Sequence, residues 1–320
     1  MHQLFKVELA RQTGLATSAA SAHPPKMSDE CKEEYIEVVR VLVRAFLNPV
    51  KVSWDIQKYQ LECTHRCISG GMQRKEISLA RDFPGVRSGI RAVLNPRTVI
   101  DVYGRIIVWI LPSILPKRIQ DIYQKCAGEI AGEMQNELAA HRQSRSWRFL
   151  STLFSQVNDS IPPGLINFSA AWFMLGREGR EDSLVTSPIL RSARGKQWMR
   201  DMAEVGTLLS GVLRIMHPDQ YRMGYEVMTG LMHYEQVNLA LSTWPSVFNA
   251  ATVISNRCCP MHRDNKGSFP LFDILISTGD YSNAPISILP VGIQFPNGPG
   301  SMCGFSGFGF RHGVAGADAG

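Results

Sequence analysis

Between Asn256 and Val314 the chain lays down short apolar runs at close intervals and breaks each with glycine or proline. Phe269 to Ser277 reads as a buried strand, ended by Thr278-Gly279-Asp280. Ile286 to Leu289 alternates like a second strand, and Gln294 to Gly300 reads as a turn. Met302 to His312 is rich in glycine and phenylalanine, with Phe305, Phe308 and Phe310 available for packing. Short strands punctuated in this way build a sandwich or a barrel, and jelly rolls are among the options. Whatever else the chain does, it must close a β-core here.

The same stretch carries chemistry. His262 and Asp264 lie two residues apart, and His312 arrives after the strand-rich interval. In a strand, residues i and i+2 point to one face, so His262 and Asp264 can aim at a common point. A third ligand from a neighbouring strand completes a face of two imidazoles and one carboxylate with open coordination positions, the arrangement of non-haem Fe(II) oxygenases. For the bare tripeptide the competing reading is a salt-bridged surface turn. The interval that leads to His312 is what favours the metal.

Composition sets wide bounds. A chain of 320 residues accommodates one large domain or two ordinary ones, and 44% hydrophobic content suffices for a sizeable core. A formal charge of +6 and a pI near 9.0 are compatible with nucleic-acid binding without requiring it. Seven cysteines, an odd number in no regular framework, fit a reduced compartment. The greasiest run, Ile106 to Leu115, is interrupted by Pro112 and falls short of the roughly 18–20 residues of a membrane span. Met1 to Lys26, poor in acids and rich in alanine and serine, reads as a disordered leader, with a transit peptide as the alternative.

Outside the β-rich stretch, helices are expected over Ser28–Leu47, Pro116–Leu138, Met199–Met216 and Tyr221–Leu241, from apolar spacing and capping residues. Thr98 to Val108 reads as a strand pair or one long strand bent at Gly104. Cys63-x-His65-x-Cys67 lacks the spacing of a zinc finger and is read as chance. His141 to Arg148 reads as a solvated helix end, with a phosphate-facing edge as the alternative, and Arg191 to Arg200 as a second basic patch with Trp198 in the core, not on a binding face. The expected organisation is an α+β chain. Residues 1–90 are poorly assigned apart from the helix near 28–47. Residues 91–245 are helical support, and 246–320 form a double-stranded β-helix, or jelly roll, buttressed by those helices.

Asn256-Arg257, His262-Arg263-Asp264, Phe272-Asp273-Ile274-Leu275, Pro299-Gly300 and Arg311-His312-Gly313-Val314 together resemble the TET/JBP group of 2-oxoglutarate- and Fe(II)-dependent dioxygenases, in its fungal transposon-associated branch. Asp101 to Ile107, Leu165 to Phe173, His217 to Tyr221 and Trp244 to Phe248 fit the same resemblance. It implies Fe(II) held by His262, Asp264 and His312, and 2-oxoglutarate as cosubstrate. It further implies oxidation of the methyl group of 5-methylcytosine in DNA, and hence a nuclear protein. Carried over by motif, Asn256 and Arg257 lie at the pocket wall on the substrate side, with Arg257 contacting cosubstrate or base. Asn265, which would point the other way in a regular strand, is a further substrate-side candidate.

Two positions depart from the pattern. The resemblance calls for Asn or Asp three residues after the metal carboxylate, and Gly267 stands there. It also calls for an Arg about ten residues beyond the distal His, to anchor 2-oxoglutarate. The sequence given ends eight residues past His312 (320 − 312 = 8), so the jelly roll is expected to be incomplete at its C-terminus. Two alternatives follow: an inactive, truncated remnant of such an enzyme, or a related dioxygenase that acts on N6-methyladenine or RNA.

Overall fold

The computed structural model describes residues 1–14, 28–66, 72–86, 91–155, 161–174, 176, 180, 183–264, 267–282 and 284–315. Contacts gather the chain into two compact units. One comprises Met1–Pro116 and Cys259–Asp318, the other Lys117–Cys258.

The first unit is built on two five-stranded sheets. One has the order Pro49–Lys51, Arg97–Ile100, Ile106–Leu111, Met302–Phe305, Asp273–Ile276. The other has the order Arg91–Ala92, Ile293–Phe295, Ile286–Ile288, His312–Val314, Cys259–His262. From residue 259 onward the chain passes back and forth between them, and every pairing among the six strands it forms there is antiparallel. This is the jelly-roll arrangement. Inward side chains from both sheets share one core: Val99, Val108, Ile110 and Phe305 from the first, Ile286, Ile288, Ile293 and Phe295 from the second. Ile286 and Ile288 are buried while Ser287 between them is not, the period of two that a one-sided strand imposes. Among the described residues, Asp273–Ile276 forms an outer edge of its sheet.

Of Met1 to Lys26, expected as a disordered leader, His2–Thr13 is a helix, and residues 15–27 lie outside the described residues. Ser28 caps the helix Asp29–Leu47 through a bond from the Cys31 amide, with Asp29 and Glu30 in the first turn. Two shorter helices follow, Ile56–Arg66 and Met72–Asp82. Tyr59 from the first and Leu79 from the second enter the same core as the sheets. Cys63 is buried, and Cys67 lies outside the described residues. Thr98 to Val108 forms a hairpin, not one strand, with Gly104 at φ 81° in its turn. Asp101 organises that turn. Its fully buried carboxylate accepts from the amides of Tyr103 and Arg105, both at 2.9 Å, and from Ile56 at 3.3 Å. The hairpin therefore sets where the Tyr59 helix begins.

The second unit pairs Gly164–Ser169 with Ala250–Ser255 in six antiparallel steps and surrounds them with helices. The strand beginning at Ala250 thus belongs to this two-stranded ladder, not to the sheets of the jelly roll. Helices expected to be continuous are divided. Ile130 breaks the first into Lys117–Glu129 and Ala131–Ala140, between Gly128 and Gly132, which weaken helix on either side. A second begins early, at Ala193, because Ser192 accepts the Gly195 amide at 3.0 Å; Met202 then separates it from Ala203–Met216. Beyond it, Pro218–Leu231 stops just after Gly230, and Glu235–Leu241 starts anew. Trp198 is buried against Phe168 in an edge-to-face pair at 4.6 Å, a core residue as its helix predicts. No helix of the described residues is long and apolar enough to cross a membrane.

Replacing Asp101 by alanine strands three amide donors in the first unit. A loss of roughly 3 kcal/mol is expected, read as a lower urea midpoint at unchanged slope. An unchanged midpoint would show that the carboxylate does not hold this corner.

Candidate metal centre

The centre is assembled by register. His312 lies directly opposite His262 on the neighbouring antiparallel strand, and directly opposed residues put their side chains on one face. Their ring centroids are 4.3 Å apart. Asp264 stands just past the end of its strand, so the sheet ladder does not hold it. Its amide instead donates to the Gly307 carbonyl at 2.9 Å, from the turn that leads into the His312 strand. The carboxylate then faces both imidazoles, with Oδ1 3.5 Å from His262 Nε2 and Oδ2 3.7 Å from His312 Nε2. One ligand atom from each of the three residues falls within 4.8 Å of the other two.

Both rings are held in the orientation a metal requires. His262 Nδ1 lies 2.8 Å from the Pro260 carbonyl, and His312 Nδ1 lies 2.9 Å from the Phe310 carbonyl. A carbonyl only accepts, so each Nδ1 carries a proton, and Nε2 is the nitrogen turned toward a metal. The His312 side chain is 5% exposed and that of His262 13%, whereas Asp264 is 40% exposed. Burial is the main reason that His312 titrates below the usual range for histidine; the Phe310 bond opposes it and the neighbouring His262 adds to it. A neutral imidazole is the form that binds metal. Phe305 closes the far side edge-on to His312 at 4.9 Å. Two imidazoles that converge through their Nε2 atoms on one carboxylate fit a divalent iron with open positions.

Close backbone approaches make this possible. A Cβ on Gly307 would lie 2.5 Å from Asp264 Oδ2 and 2.7 Å from Asp273 Oδ2, and one on Gly313 would lie 2.7 Å from Met261 Sδ. Asp273 accepts the Gly307 amide at 2.9 Å. Its carboxyl is raised above the ordinary carboxylate range, first by loss of surrounding water and further by the charge of Asp264, with the Gly307 bond opposing. Sequence reasoning misses both Gly307 and Asp273 as parts of the site. An acid within an apolar strand and the Gly-Phe-Gly run are the signals that point to them.

The other residues expected at the site are Asn256, Arg257 and Asn265. Asn256 and Arg257 lie in the second unit. Asn256 adopts a left-handed φ of 53° and donates to the Ile161 carbonyl at 2.7 Å. The Arg257 guanidinium sits 5.1 Å from the Trp147 ring centre and 5.9 Å from that of Phe154, and donates to the Arg148 carbonyl. Asn265 lies outside the described residues. A second group with metal-ligating atoms, Cys126, Glu129 and Asp201, also lies in the second unit. Lys125 already pairs with both of its acids, at 3.5 and 3.6 Å.

Alanine at Gly307 forces its Cβ against Asp264. Calorimetric titration with Co(II) in place of iron should show affinity weakened by about 10- to 100-fold, with His262→Ala, Asp264→Ala and His312→Ala weaker still. Binding of wild-type strength in Gly307→Ala would mean that Asp264 is not held where the metal needs it.

The stretch 178–319, which contains all three of these residues, matches the model of the Tet_JBP family, described as the oxygenase domain of the 2OGFeDO superfamily. Among curated proteins there is no match. Among solved structures the fold is similar to that of NgTET1 in complex with 5mC DNA, at 13% identity and a TM-score of 0.41, over 76% of this chain and 83% of that one. It is the strand order and register given above that establish the jelly roll here.

Proposed function

We propose that the chain is a 2-oxoglutarate- and Fe(II)-dependent dioxygenase that oxidises the methyl group of a methylated nucleobase, first of all 5-methylcytosine in DNA. The observation that carries this reading is the facial set of His262, Asp264 and His312, with both Nε2 atoms turned to a common point and both Nδ1 protons committed to backbone carbonyls. The family match over 178–319 supports the same reaction class.

Iron bound there with 2-oxoglutarate supplies the oxidising power needed to break a methyl C–H bond. The chain's own contribution is geometric and electrostatic. The two neutral imidazoles add no charge, while Asp264 offsets part of the metal's. Asp264 is the most open of the three ligands, so cosubstrate and base approach on its side, away from the Phe305 wall. A base in a duplex is out of reach and must be flipped into that opening. In this reading Arg257 contacts the cosubstrate or the base and Asn256 lines the substrate side, both on the motif match; Asn265, close to the departing position Gly267, is a further candidate to contact the base. A genomic DNA substrate places the protein in the nucleus.

One observation favours a second substrate. A Cβ at Gly267 would come within 2.9 Å of the Cβ of Phe308, so the backbone here closes the position that the resemblance gives to a base-reading Asn or Asp. N6-methyladenine, or methylated RNA, is the reading this leaves open.

Nucleoside mass spectrometry decides between them. Methylated duplex DNA, N6-methyladenine DNA and methylated RNA are each incubated with the chain, Fe(II) and 2-oxoglutarate. Hydroxymethylcytosine is expected from the first, falling to background with His262→Ala or when 2-oxoglutarate is left out. Product from the other substrates alone would transfer the assignment to them, and no product from any would contradict a dioxygenase role for this chain.

A further inference from the structure

We propose that Arg263, the residue between two of the metal-binding side chains, is a positioning residue that sets the spacing of Asp264 and His312 by locking the Ser306–Phe310 turn to the Met72–Asp82 helix. This deepens the metal reading above and rests on it.

Arg263 follows His262 in the chain, and its side chain leaves on the opposite side, as neighbours along an extended backbone do. It runs into the helical layer and meets Glu76 fork to fork, with Nε to Oε1 at 2.7 Å and Nη2 to Oε2 at 3.1 Å. Nη2 also donates to the Tyr59 hydroxyl at 2.9 Å, and Nη1 to the Gly309 carbonyl. Tyr59, fully buried, donates to that same carbonyl at 3.1 Å. The Arg263 and Glu76 side chains are only 11% and 17% exposed, so the pair is shielded from the water and salt that make surface pairs weak.

The turn it grips is the one that orients the ligands. Gly307 offers its carbonyl to the Asp264 amide, and Phe310 offers its own to His312 Nδ1. Gly309, held by Arg263 and Tyr59, lies between these two. One guanidinium thus fixes the fourth residue of a five-residue turn, and the carbonyls of Gly307 and Phe310 in that turn orient a carboxylate on one side and an imidazole on the other. Arg263 touches neither metal nor substrate in this scheme. A lysine cannot replace it fully, because an ammonium cannot reach Glu76 bidentately and Gly309 together.

The test uses the full chain with Co(II) as the probe, whose visible spectrum reports ligand geometry. Arg263→Gln is expected to weaken Co(II) binding about 10- to 100-fold and to alter the spectrum of the bound ion, while circular dichroism and a cooperative urea transition show a folded protein. Glu76→Gln should change affinity and spectrum in the same direction by less, and Arg263→Lys should recover part of both. A purely structural role would lower stability yet leave the folded protein with the wild-type spectrum and affinity; that result overturns the assignment. If Arg263→Gln does not fold, Glu76→Gln and Arg263→Lys decide: a shifted spectrum supports the assignment and an unshifted one overturns it. A wild-type chain that takes up no Co(II) would overturn this assignment together with the metal reading, whereas binding by wild type and variants alike would overturn this assignment alone.

Discussion

Everything at the centre depends on one cross-strand pair. His262 and His312 are fifty positions apart in sequence (312 − 262), and the antiparallel register of two short strands sets them face to face. Register in a sheet is unforgiving, because a slip of one residue turns every side chain to the other face. Here the buried neighbours enforce it. Ile288 stands opposite His312 on the other flank of the same strand, fully buried in the core that Phe305 and Phe295 share. A slipped strand would bring Arg311 or Gly313 into line with the metal-binding face and push an imidazole into the wrong layer. The apolar core and the chemistry are therefore specified by the same hydrogen-bonded ladder.

The pair of imidazoles alone would not make a metal site, and the third member is held differently. Asp264 has left the strand, so it takes its position from a turn, and that turn is crowded. At Gly307 and Gly313 the space a side chain needs is already occupied by the carboxylates or by the adjoining strand, and at Gly267 by Phe308. These glycines are there for close approach. None of the three appears among the positive-φ residues. Such close approach limits the Asp264 carboxylate on the side of Gly307, and a ligand with fewer orientations spends less freedom when a cation arrives. It also explains why a Gly-rich, Phe-rich stretch that looks pliable in sequence is well packed in the fold.

Much of this is legible in the amino-acid sequence. The run of short strands to His312 and the donor chemistry of a divalent metal point to the three ligands, although Asp264 reaches the site from a turn past the strand end and not by the strand period the sequence reading assumes. The α+β jelly roll follows from turn residues at close intervals. Other parts are not legible, for physical reasons. Ala250–Ser255 looks like the first strand of the core because it is apolar and precedes the others, yet it pairs with Gly164–Ser169, and only tertiary contact reveals that partner. Likewise, the helices Ile56–Arg66 and Met72–Asp82 are short and polar, and nothing in their composition ties them to a metal. The tie is a bond between Arg263 and Glu76 across 187 positions. Long-range polar pairs leave no periodic trace. Asp273 is visible only as an anomaly, a charge in an apolar strand, and its carboxylate supports the Gly307 turn beside Asp264.

The central claim is that two imidazoles, one from each of two paired strands, bind the same ion. Pulsed electron paramagnetic resonance on the chain loaded with one equivalent of Cu(II) counts imidazole nitrogens directly. The account predicts two coordinated imidazoles in the wild-type chain, one after His312→Ala or His262→Ala, and none in the double variant. A count that is unchanged by either substitution would place the ion elsewhere in the chain and contradict the account at its root.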